Sequence, residues 1–494
     1  MNCDVLFVYL PISFGAGRSY GLPPLGVFYL AAGTRNAGMS ARVLDANIAG
    51  LTLDQTVQAI SVHRPKLVAL SILTPHLRAL TAVVERLNDA GYKGRIIAGG
   101  PHFNDTREET LTFLDIDYAM YGECDKTFVD FAKGFLAGEP VDSTPNLIHR
   151  RDGKLVVNPP SKFIEDLDSL PRPDLSQGIF TYYEKINGRR RRAISIMCSR
   201  GCPYKCSFCD VPTMWGKKVR ERSPQDVVDE IIFNRDNFGI HEVFFRDSVF
   251  TLNYKYVAKL MDEFERRSIK DIVWHCNARV DRITRPLLER MKKNGLVCIS
   301  YGVESGNEVV LEKMLKKVTL KQIEDTFQMT AEVGVESLAF FMVGNPGETR
   351  ESARETLALA KRLPCSYIEV GPTVAYPGTE IYRTAVAEKL INDPKWYLNE
   401  VYKQHSLKGI TPHLSPGQLN LPDFSPQEQF DWCRRIIRTF YLRPTTWYRI
   451  FVRHFSFQVT RRAIQILPGF LKYCLARESD PGVSSRVETA RVSP

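Results

Sequence analysis

Apolar and polar positions alternate along this chain in two separate series. In the first, apolar β-rich runs at 5–10, 41–44, 67–72, 95–98 and 118–121 are separated by segments of helical spacing at 25–37, 53–63 and 77–90. Strand alternating with helix predicts a parallel sheet covered on both faces, a doubly wound, Rossmann-like α/β domain over 1–145. In such sheets a ligand sits beyond the carboxyl ends of the strands. The loops expected there are 11–24, the stretch from Ser71 through Thr74 to His76, Gly99-Gly100-Pro101-His102, and Gly122-Glu123. Their glycines let a bulky ligand approach the backbone closely.

A polar, proline-bearing stretch at 166–174 reads as part of a linker over 146–190. The second series opens near residue 193, with strands expected at 193–197, 242–245, 272–276, 298–303, 337–343 and 368–372. Six such units are too few for a closed eight-unit barrel, so an open, partial (β/α)6 barrel is expected over 191–390, with its site at the carboxyl ends of the strands. From 391 to 494 the repeat gives way to an irregular and then helical C-terminal region, ending in a polar tail from Glu478. There Phe440, Tyr441, Trp447, Phe451, Phe455, Phe457 and Leu467 are mixed with Arg and Lys. A helical cap on the barrel is the expectation, and an interfacial helix at a membrane surface or lipid substrate is the alternative.

Composition changes this picture little. A length of 494 residues exceeds one ordinary core, and 44% hydrophobic with 25% charged residues is globular. The net charge of +10 includes a basic run at 189–192, but no nucleic-acid motif accompanies it, so it reads as a solvated face. No apolar run reaches the ~18 residues that span a bilayer. The N-terminus lacks the basic start and cleavage site of a signal peptide, so a cytoplasmic location is expected. The eleven cysteines are odd in number and scattered except for one cluster, unlike a disulfide framework.

That cluster reads Cys198-Ser-Arg-Gly-Cys202-Pro-Tyr-Lys-Cys206-Ser-Phe-Cys209, just after the first strand of the second series. Thiolates this close on a loop can wrap one soft metal centre. Only Cys202, Cys206 and Cys209 meet the spacing CxxxCxxC. Three ligands for a four-iron cube leave one iron open to chelate a substrate. A zinc site with Cys198 as fourth ligand is the alternative, although its spacing departs from the usual paired CxxC.

The motif, with Phe208 before its last cysteine, resembles that of the radical S-adenosylmethionine superfamily, which implies a [4Fe–4S] cluster and bound S-adenosylmethionine. The resemblance implies further contacts at the ends of later strands. Asp247 would meet the amino end of S-adenosylmethionine, although the usual acidic pair is not intact around it. Asn277 and Arg279 end the third strand. Gly302, Glu304 and Ser305 match the ribose- and carboxylate-contacting segment, and Gly344 opens a segment near the adenine. A helix cap or turn is the alternative for any one of them.

The order of domains, with Asp45 and the segments holding Ser71, Thr74, Gly99, Gly100, Pro101, Gly122 and Glu123, resembles the cobalamin-dependent branch of that superfamily. Cobalamin is therefore implied as the ligand of the first domain, although the histidine motif that ligates cobalt elsewhere is absent. His76 and His102 lie near the expected ligand mouth, where ordinary loop histidines are the simpler reading. The resemblance implies methylation of an unactivated carbon in a small molecule, lipid or peptide. It also implies an electron donor such as flavodoxin or ferredoxin. A radical cyclisation or ring rearrangement is an alternative, as is a cobalamin sensor without catalysis.

Overall fold

The computed structural model describes residues 3–11, 22–178, 182–184, 190–398 and 417–446. The expectations for the loop at 12–21, the basic run at 189, the aromatic segment from Trp447 and the polar tail lie outside these residues. Among the described residues the strands form two seven-stranded sheets and one two-stranded ribbon.

The first sheet contains β1 (Val5–Tyr9), β2 (Ala41–Asp45), β3 (Leu67–Ser71), β4 (Arg95–Gly99), β5 (Tyr118–Met120), β6 (Leu147–Arg151) and β7 (Lys154–Val157), in the spatial order 2-1-3-4-5-6-7. β1 to β5 run parallel, and β6 and β7 return antiparallel. Strand order reverses between β1 and β3, which is where a doubly wound sheet opens a crevice. β1 and β3 read VLFVY and LVALS because helices cover both faces of the sheet. β6 and β7 fall in the stretch read as linker, which is therefore shorter than 146–190. Their turn, Asp152-Gly153, has φ of 51° and 75°, the conformation that favours Asp-Gly in two-residue hairpins. The remaining linker is ordered by two short turns, Leu167–Ser169 and Leu175–Gln177. It is tied back to the first domain where Gln177 accepts from the Val43 amide at 3.0 Å and Arg35 pairs with Asp174.

The second sheet contains β8 (Tyr182–Glu184) and β9 (Arg190–Ile196). A two-stranded ribbon of β10 (Ser199–Arg200) and β11 (Arg220–Glu221) leaves it before β12 (Ile240–Phe245), β13 (Val273–Ala278), β14 (Leu296–Glu304), β15 (Glu336–Val343) and β16 (Tyr367–Pro372). β9 and β12 to β16 are parallel neighbours, the six strands of an open barrel, and β8 adds an antiparallel edge. Along β13 and β15, buried residues alternate with half-buried ones. The buried set packs against the helices outside, and the half-buried set faces the barrel interior.

Helix ends are set by local chemistry. Thr52, Thr319 and Ser425 cap their helices reciprocally with Gln55, Gln322 and Glu428, while Gly239 and Gly334 stop theirs in the left-handed conformation. The C-terminal helix Pro426–Tyr441 packs on the sixth barrel strand, where the Tyr441 hydroxyl bonds the Ile368 amide and carbonyl at 3.2 and 3.1 Å. No helix among the described residues is long and apolar enough to cross a membrane.

One apolar cluster runs from Leu6 and Val68 of the first domain to Trp274 and Phe327 of the barrel, so the two domains share a core. Trp274 is fully buried against Phe245, Phe250 and Phe264, and its indole N–H donates to the Asn294 carbonyl at 2.7 Å. Trp274→Ala should therefore destabilise the chain by about 3–5 kcal/mol, read as a lower urea midpoint with little change in slope.

Candidate cofactor site between the two sheets

The carboxyl ends of β1, β3, β4 and β5 open onto a cavity of about 340 Å³. Tyr9, Ser71, Gly99, Gly100, Pro101, Gly122 and Glu123 line it from the first domain, and Met197, Arg200, Met214 and Trp215 close it from the barrel side. Thr74, expected in this group, is not in the lining; its hydroxyl meets His102 Nδ1 at 3.2 Å. Gly100 sits at φ +109°, and a Cβ there would come within 2.7 Å of the Ile72 carbonyl, so the strand turn itself requires glycine. Gly26 lines the cavity too, and a Cβ on it would meet no atom within 4 Å, so the space above the helix start is open.

Neither nearby histidine is placed to ligate a metal. His76 is fully buried, and its Nδ1 accepts from the Leu73 amide at 3.1 Å, which puts its proton on Nε2. His102 spends both ring nitrogens on Thr74 and Thr110. Burial pushes the two imidazoles down to about 4 and about 3, so both stay neutral. Asp45, beyond the edge of the cavity, is raised by burial to about 6 despite accepting from the Ile48 amide.

The cysteine loop hangs between β10 and β11. Gly201 carries φ +99°, and a Cβ there would sit 2.2 Å from the Lys218 carbonyl, so the two sides of the loop close only around glycine. The Cys202 amide bonds the Gly216 carbonyl, the Ser207 amide the Met314 carbonyl, and the Ile381 amide the Ser207 carbonyl. Cys202 is buried, and Cys206 and Cys209 are half-buried. Burial, with the neighbouring cysteines, pushes Cys202 upward and Cys209 to about 12. Arg279, at 3.8 Å from Cys206 Sγ, and Lys316 are the cations that favour the Cys202 thiolate. Three thiols on one loop beside Arg279 and Lys316 fit a soft iron–sulfur centre. No three His, Cys, Asp or Glu side chains among the described residues converge as on a single ion. Cys198 is buried in the apolar core, its thiol raised well above the ordinary value by burial.

The other expected residues gather at the same end of the barrel. Asp247 is buried, with Oδ1 accepting from the Ser199 hydroxyl at 2.5 Å and Oδ2 from the Cys198 amide at 3.2 Å. Its carboxylate thus braces the approach to the cysteine loop, and burial raises it to about 6. Arg279 also donates to the Lys316 carbonyl, pairs with Asp281, and lies 3.7 Å over the Tyr204 ring. Glu304 holds φ +68°, unusual for a side-chain residue, and pairs with Lys316 at 2.8 Å. A Cβ at Gly302 would fall 2.3 Å from that carboxylate. Asn277 gives its carbonyl to the Phe250 amide, Ser305 Oγ faces Thr356 Oγ1 at 3.3 Å, and the Gly344 amide donates to Glu348 at 2.8 Å. Glu348 is raised to about 7 by burial. Sequence reasoning passed over Arg200, Arg220, Asp125, Trp215 and Lys316, which no periodicity marks.

The crevice of the doubly wound sheet opens onto a cavity closed by Met197, Arg200, Met214 and Trp215, residues that flank the three-cysteine loop on either side. A family model described as the radical SAM superfamily matches residues 196–360, and one described as a B12 binding domain matches 15–132. The chain thus joins a B12-binding domain to a radical SAM domain, the two-domain arrangement of cobalamin-dependent radical SAM enzymes, whose cofactors are a [4Fe–4S] cluster, S-adenosylmethionine and cobalamin. An uncharacterized methyltransferase of Pyrococcus horikoshii is 27% identical over 464 residues, which are 93% of this chain and 97% of that one. An anaerobic magnesium-protoporphyrin IX monomethyl ester cyclase of Rubrivivax gelatinosus is 28% identical over 367 residues, 72% of this chain and 65% of the cyclase. The fold is shared with the radical S-adenosylmethionine methyltransferase TsrM of Kitasatospora setae, solved with cobalamin and a [4Fe–4S] cluster bound. The TM-score is 0.63 at 18% identity, over 78% of this chain and 75% of TsrM.

Asp105, in the short helix Pro101–Thr106 and packed against Gly378, is raised by burial and by Asp210 to about 7. Its proton is held more tightly folded than unfolded, so its contribution to stability is full below about pH 4 and is lost as pH rises through 7. In the cofactor-free chain Asp105→Asn should remove about 1–2 kcal/mol of the stability lost between pH 5 and pH 8, measured by urea unfolding at both. Gly201→Ala should cut iron uptake on anaerobic reconstitution severalfold with the far-ultraviolet dichroism unchanged.

Proposed function

We propose that this chain is a cobalamin-dependent radical S-adenosylmethionine methyltransferase that transfers a methyl group to an unactivated carbon. The observation that carries this reading is the shared cavity: strand ends of the first domain and Met197, Arg200, Met214 and Trp215 beside the cysteine loop form its two walls. Cys202, Cys206 and Cys209 hold the cluster, and Ser71, Gly99, Gly100, Pro101 and Gly122 form the floor for the corrin. When bound, the cluster supplies an electron to S-adenosylmethionine for hydrogen abstraction, and cobalamin supplies the methyl group. Arg279 and Lys316 balance the negative charge of the thiolates, and Lys316 fixes Glu304 at the mouth of the barrel. Phe7, Leu70, Ile97, Met120 and Phe128 make the cavity wall apolar, which keeps water from reactive species. The substrate is a small molecule, lipid or peptide, and an electron donor such as flavodoxin or ferredoxin reduces the cluster.

The Rubrivivax relative supports a second reading, a radical cyclisation in which no methyl group is consumed. Anaerobic reconstitution with iron, sulfide and hydroxocobalamin should give about four irons and one corrinoid per chain, and alanine at Cys202, Cys206 and Cys209 should abolish iron uptake. Product analysis then separates the readings. A methyl gained with S-adenosylhomocysteine and 5′-deoxyadenosine supports methylation, whereas 5′-deoxyadenosine without methyl gain supports cyclisation. Uncleaved S-adenosylmethionine would leave a cobalamin sensor.

A further inference from the structure

Resting on that cofactor reading, we infer that Glu123 is a positioning residue for the cluster loop, and that through it cobalamin and the cluster stabilise each other's binding. The ribbon that frames the cysteine loop has an internal conflict. Its register sets Arg200 directly opposite Arg220, and like charges facing each other across a ladder oppose its closing. Both guanidinium groups are almost wholly buried, at 4% and 2% exposure, so solvent does little to screen them.

The anion that lets them meet comes from the other domain. Glu123 Oε1 accepts from Arg200 Nη1 at 2.6 Å and from Arg220 Nη1 at 3.0 Å, while Oε2 takes Arg220 Nη1 at 2.7 Å and the Ile164 amide at 2.8 Å. Asp125 adds bonds of 2.8 and 3.0 Å to Arg200 alone. Arg200 stands two residues before Cys202, whose own amide closes on Gly216 across the loop. The side chain expected to touch cobalamin is therefore spent on the cluster loop.

The same residues also face the other cofactor. Gly122, Glu123, Cys124 and Asp125 line the cavity together with Arg200 and Trp215, and Arg200 lies 4.6 Å over the Trp215 ring and 5.5 Å from that of Tyr29. A corrin that orders the loop at 122–125 fixes the carboxylate that closes the ribbon. A cluster that closes the ribbon fixes the loop beneath the corrin. Coupling of this kind is reciprocal by thermodynamic necessity.

The test is the rate at which bipyridyl strips iron from the reconstituted full-length protein, with and without bound hydroxocobalamin. In the wild type, corrinoid should slow iron loss about tenfold. Glu123→Gln should still take up iron and corrinoid while that ratio falls toward one, and Asp125→Asn, which releases only Arg200, should fall between. Should Glu123→Gln fail to fold, Asp125→Asn decides by itself. A wild-type ratio retained in the folded variants, or a wild type holding both cofactors without any corrinoid effect, overturns the coupling alone. A wild type that takes up no corrinoid defeats the functional reading and the coupling together.

Discussion

Burying two arginines side by side is the constraint around which this molecule is assembled. Arg200 and Arg220 cannot be desolvated next to each other unless a carboxylate joins them, and the barrel ribbon that carries both supplies none between them. Glu123 joins them only when the first domain is docked. Removing one partner from a buried charge group costs roughly 3–5 kcal/mol, whereas replacing the whole group by apolar side chains is often neutral. The triad is therefore better understood as fixing one relative placement of two domains than as a source of stability. A second set of ion pairs acts along the same seam: Arg222 joins Asp226 and Glu230 and reaches the Tyr29 hydroxyl, and Arg172 of the linker reaches Asp226.

Much of this was legible in the chain before any fold was known. Strands buried on both faces must be apolar throughout, so β1, β3 and β4 announce themselves, and the six barrel strands fall within a few residues of the positions expected. The β6–β7 hairpin was missed although Asp152-Gly153 was its signal, because its strands carry His149, Arg150 and Arg151 and look like linker. The resemblance marked Glu123 as a cofactor contact, and it does line the cavity, but its ion pairs were not legible. Its partners lie 77 and 97 residues onward, beyond the reach of any local pattern. The partners of Asp247, the Ser199 hydroxyl and the Cys198 amide, precede it by 48 and 49 residues and were equally out of reach of a local pattern.

The titratable groups around the cavity divide by what desolvation does to each. His76 and His102 are held neutral, and neither is free to donate a lone pair to a metal at the cavity. Asp45, Asp105, Asp247 and Glu348 are all pushed upward by burial, whereas Arg200 gains enough from Glu123 and Asp125 to stay charged. Positive charge is thus concentrated beside the cysteine loop and its ribbon, where Arg200, Arg220, Arg279 and Lys316 are gathered.

The alternation of buried and half-buried positions along the barrel strands separates two tasks that compete in most small domains. Trp274, Cys276, Ala339 and Phe341 are buried against the outer layer, while His275, Asn277, Phe340 and Met342 stay half-buried on the other face of the sheet. Volume changes on the buried face would cost packing directly, whereas the half-buried face tolerates polar and apolar side chains side by side, so one set of strands holds the sheet together on one side and leaves chemical freedom on the other.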